Sequence, residues 1–327
     1  MSLSDKKKSK GLRYGGAILF LFSIPLIVRG QYTLHILIMA AMNIILASSL
    51  RLVASSGQLS MAHGGMMTIG AYTSALLVMK LGISSWAALP LAGLAAAALA
   101  LLVGFPFVRI KGIYFAMVTV FLAEMITLTA EHWRSLTGGS SGVVNIPPPD
   151  PLVIPGLISI DFPTKTEFYY FILVLMLVTL LFLYAIERSR IGLTLISIQQ
   201  TELLSESVGV NTSRFKVLAF CIGCFFAGIV GSFYSQYINV ITPRSFEFFF
   251  AIYIIVYMIV GGIKKFSGPI YGAFILTIFP EFIRALKEFQ PFIFAGLLML
   301  AIFFLPDGLV DLRRQWDKFY EKRFNRA

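Results

Sequence analysis

Apolar runs of about 20 residues recur along this chain, divided by short polar or Gly/Pro-rich breaks, and no other feature limits its fold so strongly. A helix of that length crosses a bilayer core about 30 Å thick, whereas a membrane β-strand alternates apolar and polar residues over about 10 positions. The run from Phe171 to Ile186 shows no such alternation. Composition agrees: 57% of residues are hydrophobic, 13% are charged, and the mean hydropathy is +0.83. The expected fold is all-α, a polytopic helical membrane protein forming one transmembrane domain over residues 1–327.

About ten transmembrane helices are predicted, centred near residues 22, 43, 73, 95, 121, 177, 227, 255, 276 and 298. The start, with Lys6, Lys7, Lys8 and Lys10 before the apolar run Ala17 to Val28, has the charge and short core of a signal peptide. Arg29-Gly30-Gln31-Tyr32 offers no small-residue cleavage site, so an uncleaved first span is expected. With the N-terminus inside, Arg29, Lys80, Arg134, Lys165, Arg244, Arg284 and Lys287 fall outside, and the rest of the 27 Lys and Arg fall inside. That asymmetry predicts cytoplasmic N- and C-termini and a cytoplasmic basic tail over 311–327. The net charge of +11 is therefore an orientation signal; the basic residues sit at helix ends, not on an aromatic-laced polar face that would bind nucleic acid.

Two connections are too long to be simple turns. The external loop, 133–167, carries Thr137-Gly138-Gly139 and then Pro147-Pro148-Pro149-Asp150-Pro151. Glycine freedom and a stiff proline run suit either an ordered outer surface that receives a partner or a passive spacer. The cytoplasmic loop, 187–216, sets Ile191, Leu195, Ile198, Leu203 and Val208 among polar residues, with Gly209 as a helix stop and Asn211-Thr212 as a new start. A short helix at the cytoplasmic surface is expected, its stripe facing either the protein's own helices or a partner's groove.

Several polar groups fall inside the predicted spans. Asn43, on a stripe with Ala40, Ala47 and Arg51, must find a partner within the bundle. Glu124, flanked by Thr119 and Thr127, is a candidate for the solute path or for a structural bond. Gln58, Ser60 and His63 lie in a Gly-rich stretch whose irregular backbone is tolerated only against protein or a wet cavity, which makes them path candidates. Gly223, Ala227, Gly231 and Ser235 share one helix face suited to close packing. Cys221 and Cys224 form C-x-x-C at membrane depth without companion ligands, so no metal and no cofactor are expected. No hydrolase or phosphate-loop motif occurs, and nucleotide hydrolysis would need another chain. An ion-coupled carrier or channel with Asn43 and Glu124 at its midplane is the alternative.

A family likeness runs from about residue 35 to 310. It is carried by Gly57-Gln58-Leu59-Ser60 with His63 and Gly70-Ala71-Tyr72; Lys111-Gly112-Ile113-Tyr114 leading to Glu124; and Thr137-Gly138-Gly139 with Gly142. Glu202 to Gly209 with Arg214-Phe215-Lys216, Pro243 with Ser245-Phe246, Gly261-Gly262 with Gly268-Pro269, and Leu305-Pro306-Asp307-Gly308-Leu309 follow in order. In these blocks the chain resembles the LivM-like permeases of branched-chain amino acid ABC importers. The resemblance implies a bacterial inner-membrane permease pairing with a second, LivH-like permease, two cytoplasmic ATPases and an extracytoplasmic solute-binding protein. It also implies that Glu202, Leu203, Leu204, Glu206 and Gly209 belong to the ATPase-coupling segment. Gln199-Gln200-Thr201, Lys264-Lys265 and Ile113 depart from the family pattern.

Overall fold

The computed structural model describes residues 21–25, 30–110, 112–154, 158–160 and 162–282, with short stretches at 289, 295–296, 299 and 308–311. Among the described residues its helices of six residues or more are α1 (Gln31–Ala54), α2 (His63–Leu81), α3 (Ser85–Phe107), α4 (Ile113–His132) and α5 (Lys165–Arg188). Two short helices follow, α6 (Arg190–Gln200) and α7 (Glu202–Ser207), and then α8 (Thr212–Ile238), α9 (Phe248–Gly261) and α10 (Gly268–Phe282). The strands are two or three residues long: β1 (Val143–Val144) pairs with β4 (Val240–Ile241), and β2 (Leu152–Ile154) with β3 (Ile158–Ile160), both antiparallel.

Among the described residues six helices are long and apolar enough to cross a membrane: α1, α3, α4, α5, α8, and α9 together with the 3-10 turn before it. The predicted span near 73 is α2, a 19-residue helix that falls outside that group because Gly64, Gly65, Thr68, Gly70 and Ser74 dilute its apolar content. The span near 276 is α10, of which 15 residues are described. Of the span near 22 only the helical residues 21–25 are described, whereas the centre near 298 and all but the first residue of the 311–327 tail lie outside the described residues.

Helix α8 is the axis of the bundle, packed most extensively on α3 and α2. Small residues make this possible, because without a hydrophobic drive between helices in lipid, association rests on close backbone approach. A Cβ added at Gly70 would lie 2.1 Å from the Gly228 carbonyl oxygen, and one at Gly231 would lie 2.1 Å from that of Met67. Gly223 faces Val53 and the Ser49 carbonyl of α1, so the glycine face of α8 is a packing surface. On α1, sixteen of 24 residues are buried, and α5, α8 and α10 cover it.

Helix α5 separates the two long connections. Thr164 and Glu167 form a capping box at its start, and its 24 residues span about 36 Å at 1.5 Å per residue. The 134–164 segment and the α6–α7 segment therefore stand at opposite ends of the bundle.

Candidate functional site

Beyond α5 the chain turns back on itself. Ser189 caps α6, its side chain accepting the Ile191 N–H, and Gly192 lies so near the end of α5 that a Cβ would sit 2.2 Å from the Glu187 carbonyl. Helix α6 then buries Leu195 and Ile198 completely or nearly so. Extended backbone at Thr201 breaks the run, and α7 begins in a new direction. Where one helix is expected from the sequence, there are two, and the apolar stripe divides between them. Leu203, Leu204 and Val208 are 74%, 64% and 73% exposed. The first half of the stripe packs on the protein's own helices, and the second half is left for something else.

Helix α7 is nonetheless held firmly. Lys216 Nζ donates to Glu202 Oε1 at 2.6 Å, and Thr212 Oγ1 donates to Glu206 Oε1 at 2.7 Å. Buried Ser205 meets Ser197 Oγ at 3.0 Å and the Thr201 carbonyl at 3.1 Å. Gly209 ends the element at φ +86°, a left-handed conformation that disfavours any side chain. An exposed apolar face fixed through charged and hydroxyl contacts to α8 and α6 can pass a push into the bundle without bending.

The same end of the bundle contains a junction that the charge count does not reveal. Arg51, at the last turn of α1, donates from both terminal nitrogens to the two carboxylate oxygens of Glu187 at 2.7 Å each. Its Nε donates to the Ile263 carbonyl, also at 2.7 Å, and the guanidinium stands 5.8 Å from the Phe266 ring centre. One buried side chain thus ties α1, the end of α5 and the α9–α10 turn, just before α6 begins. From the sequence Arg51 reads as one more cytoplasmic charge; the signal that could have singled it out is its place at the foot of the Ala40-Asn43-Ala47 stripe. Gln199 Nε2 adds a donor to the Ala54 carbonyl at 3.2 Å.

The path candidates divide into three places. Gln58, Ser60 and His63 are buried in the irregular connection from α1 to α2, where Gly57 adopts φ +82° and lies against Gln199 of α6. His63 Nε2 meets Ser49 Oγ at 3.3 Å, the Ser60 hydroxyl accepts the Ala62 N–H at 3.2 Å, and neither amide atom of Gln58 has a partner among the described residues. Asn43 instead donates to Thr277 Oγ1 of α10 at 3.0 Å. Glu124 is exposed on α4, in a small recess shared with Met61, buried Thr127, Glu247 and Phe248, while Thr119 faces inward. The structure does not bring Asn43 and Glu124 into one site.

At the opposite end the described contacts of residues 137–150 tie this connection to α3, α4 and the segment after α8. The single hydroxyl proton of Thr137 is shared between the carbonyls of Ala130 and Trp133, 2.5 and 2.7 Å from Oγ1. Gly138 and Gly139, both at positive φ, turn the chain into β1, which pairs with β4 beyond α8. Asp150 accepts the Ser85 N–H at 2.7 Å, supplying the α3 N-terminus with a carboxylate, and the Trp86 indole donates to the Asp150 carbonyl.

Residues 32–305 match the family described as the permease component of branched-chain amino acid transport systems. The chain belongs to this permease family. It is 30% identical over 300 residues to the high-affinity branched-chain amino acid permease protein LivM of Salmonella typhimurium, covering 84% of this chain and 69% of that one. The LivM protein of Escherichia coli is 29% identical over 300 residues, covering 86% and 71%. The high-affinity branched-chain amino acid permease protein LivH of Salmonella typhimurium is 24% identical over 270 residues, covering 78% and 86%. No solved structure matches. The permease is a multi-pass membrane protein and a transport component.

Proposed function

We propose that this permease is the membrane-spanning subunit of an ATP-driven importer for branched-chain amino acids or a related small polar solute, in a bacterial inner membrane. The observation that carries the reading is the face of α7: Leu203, Leu204 and Val208 exposed together on an element pinned at Glu202 and Glu206. Separate cytoplasmic ATPases, two per complex, grip that face, and their closure moves α8 and α5 as rigid bodies. About ten spans put both termini and α6–α7 inside, and the 133–167 loop, with Thr137, Gly138 and Gly139, outside to meet a solute-binding protein. A second, LivH-like permease covers the outward side of α4, where it answers Glu124; a carboxylate left against lipid in mid-span would be costly. Solute passes beside Gln58, Ser60 and His63.

The test is uptake by the reconstituted complex. Apolar anchors that fill a partner's pocket are worth about 2 kcal/mol or more each, so Leu203→Asp with Leu204→Asp should lower ATP-driven uptake more than about thirtyfold. The two residues are exposed, so yield and melting temperature should stay near those of the parent chain. Unchanged uptake by this variant would remove α7 from the coupling role.

A further inference from the structure

The antiparallel pair α3–α8 is closely packed on one side, Gly93 against Phe225 and Ile229, and Gly104 near Val217 and Phe220. On its outer side the two helices part to leave an open groove of about 430 Å³ whose lining is almost wholly apolar. Ala97 and Ala98 keep its floor low, and it runs from Leu94 to Phe105 on α3 with Leu218 on the facing wall. That length is about 16 Å at 1.5 Å per residue, close to the depth of one leaflet of a bilayer core about 30 Å thick.

The groove ends at a cation. Arg214 lines it from the first turn of α8, where the helix dipole disfavours positive charge, and among the described residues no carboxylate pairs with it. Arg109, just past the end of α3, adds positive charge at the same end. We propose that the groove holds one acyl chain of an anionic phospholipid whose phosphate is bound by Arg214. A neutral lipid or an apolar partner helix would fill the groove but leave the guanidinium unanswered; a free phosphate would answer it and leave the groove empty. Because the α6–α7 segment stands at this end, the lipid belongs to the inner leaflet, a clause that rests on the orientation proposed above; the binding itself does not.

The experiment uses the full chain, purified and delipidated in detergent, with native mass spectrometry against phosphatidylglycerol and phosphatidylcholine of equal chain length. Phosphatidylglycerol should bind roughly fivefold more tightly, as expected for a single basic contact at a membrane surface. Arg214→Gln, at an exposed position that no fold contact needs, should erase that preference, and Arg214→Lys should keep most of it. Ala98→Phe, which fills the groove, should weaken both lipids alike. Equal affinity for the two lipids in the parent chain, a preference that survives Arg214→Gln, or full competition by soluble glycerol phosphate would each overturn the proposal. These readouts need neither ATPase nor uptake, so they fail or succeed independently of the transport reading.

Discussion

Gly231→Leu leaves almost no folded permease in the membrane, whereas Gly104→Ala leaves the yield unchanged. At Gly231 the first carbon of any side chain would sit 2.1 Å from the Met67 carbonyl oxygen, with the Met67 carbonyl carbon and Cα at 2.8 and 2.9 Å. The obstacle is backbone on both sides, so no rotamer change relieves it, and α2 and α8 must move apart along their whole contact. Overpacking of rigid surroundings costs about 3 kcal/mol or more, and here the leucine adds a branched side chain beyond the first carbon. Close approach is the main source of helix association in lipid, which makes the loss cooperative. At Gly104 an added Cβ would meet its nearest atoms, on Val217 and Phe220, at 3.4 to 3.6 Å, an ordinary contact. Alanine there gains up to about 1 kcal/mol of helix propensity. Membrane-fraction yield and size-exclusion profile of the two variants make the comparison.

Arg51→Gln should cost about 3 kcal/mol of stability and uncouple ATP hydrolysis from uptake. Glutamine cannot supply the fork that meets both Glu187 oxygens while Nε holds the Ile263 carbonyl. Removing one partner of a buried pair strands the other charge; Glu187 keeps about a quarter of its side chain in solvent, which moderates the loss. Arg51→Lys should recover stability in part but not coupling, because a point charge satisfies the carboxylate without bracing the α9–α10 turn. The readout that separates positioning from mere stability is the ratio of solute moved to ATP hydrolysed in protein that remains folded. A Glu187→Gln variant should act through the same contact, so the double variant should lose little more than either single one.

The membrane class, the helices near residues 43, 95, 121, 177, 227 and 255, and the break at Gly209 are legible in the sequence because each rests on a local signal: run length, or a single backbone angle. Helix α2 is legible as a helix yet weak as a span, since glycines that serve packing on α8 also lower its apolarity. The fate of the α6–α7 stripe is not legible, because periodicity gives the same pattern whether an apolar face meets the chain itself or another protein. Only the tertiary placement of Leu195 and Ile198 inside, and Leu203 and Val208 outside, divides it. Arg51 escapes for a similar reason: its partners Glu187 and Ile263 are 136 and 212 positions away, and no spacing rule reaches so far. Glu124 is recognisable as costly at membrane depth, but its outward direction follows from how α4 is rotated against the bundle.

Ser205 is buried and makes a poor reporter, so the exposed neighbour Leu203 is the position to label. In a Cys221→Ala, Cys224→Ala background, Leu203→Cys should react with a membrane-impermeant maleimide in inverted vesicles but not in intact cells. Adding the ATPase subunits should protect it. Reaction from the outer face of intact cells, or full reactivity in the assembled complex, would contradict a motor bound to α7.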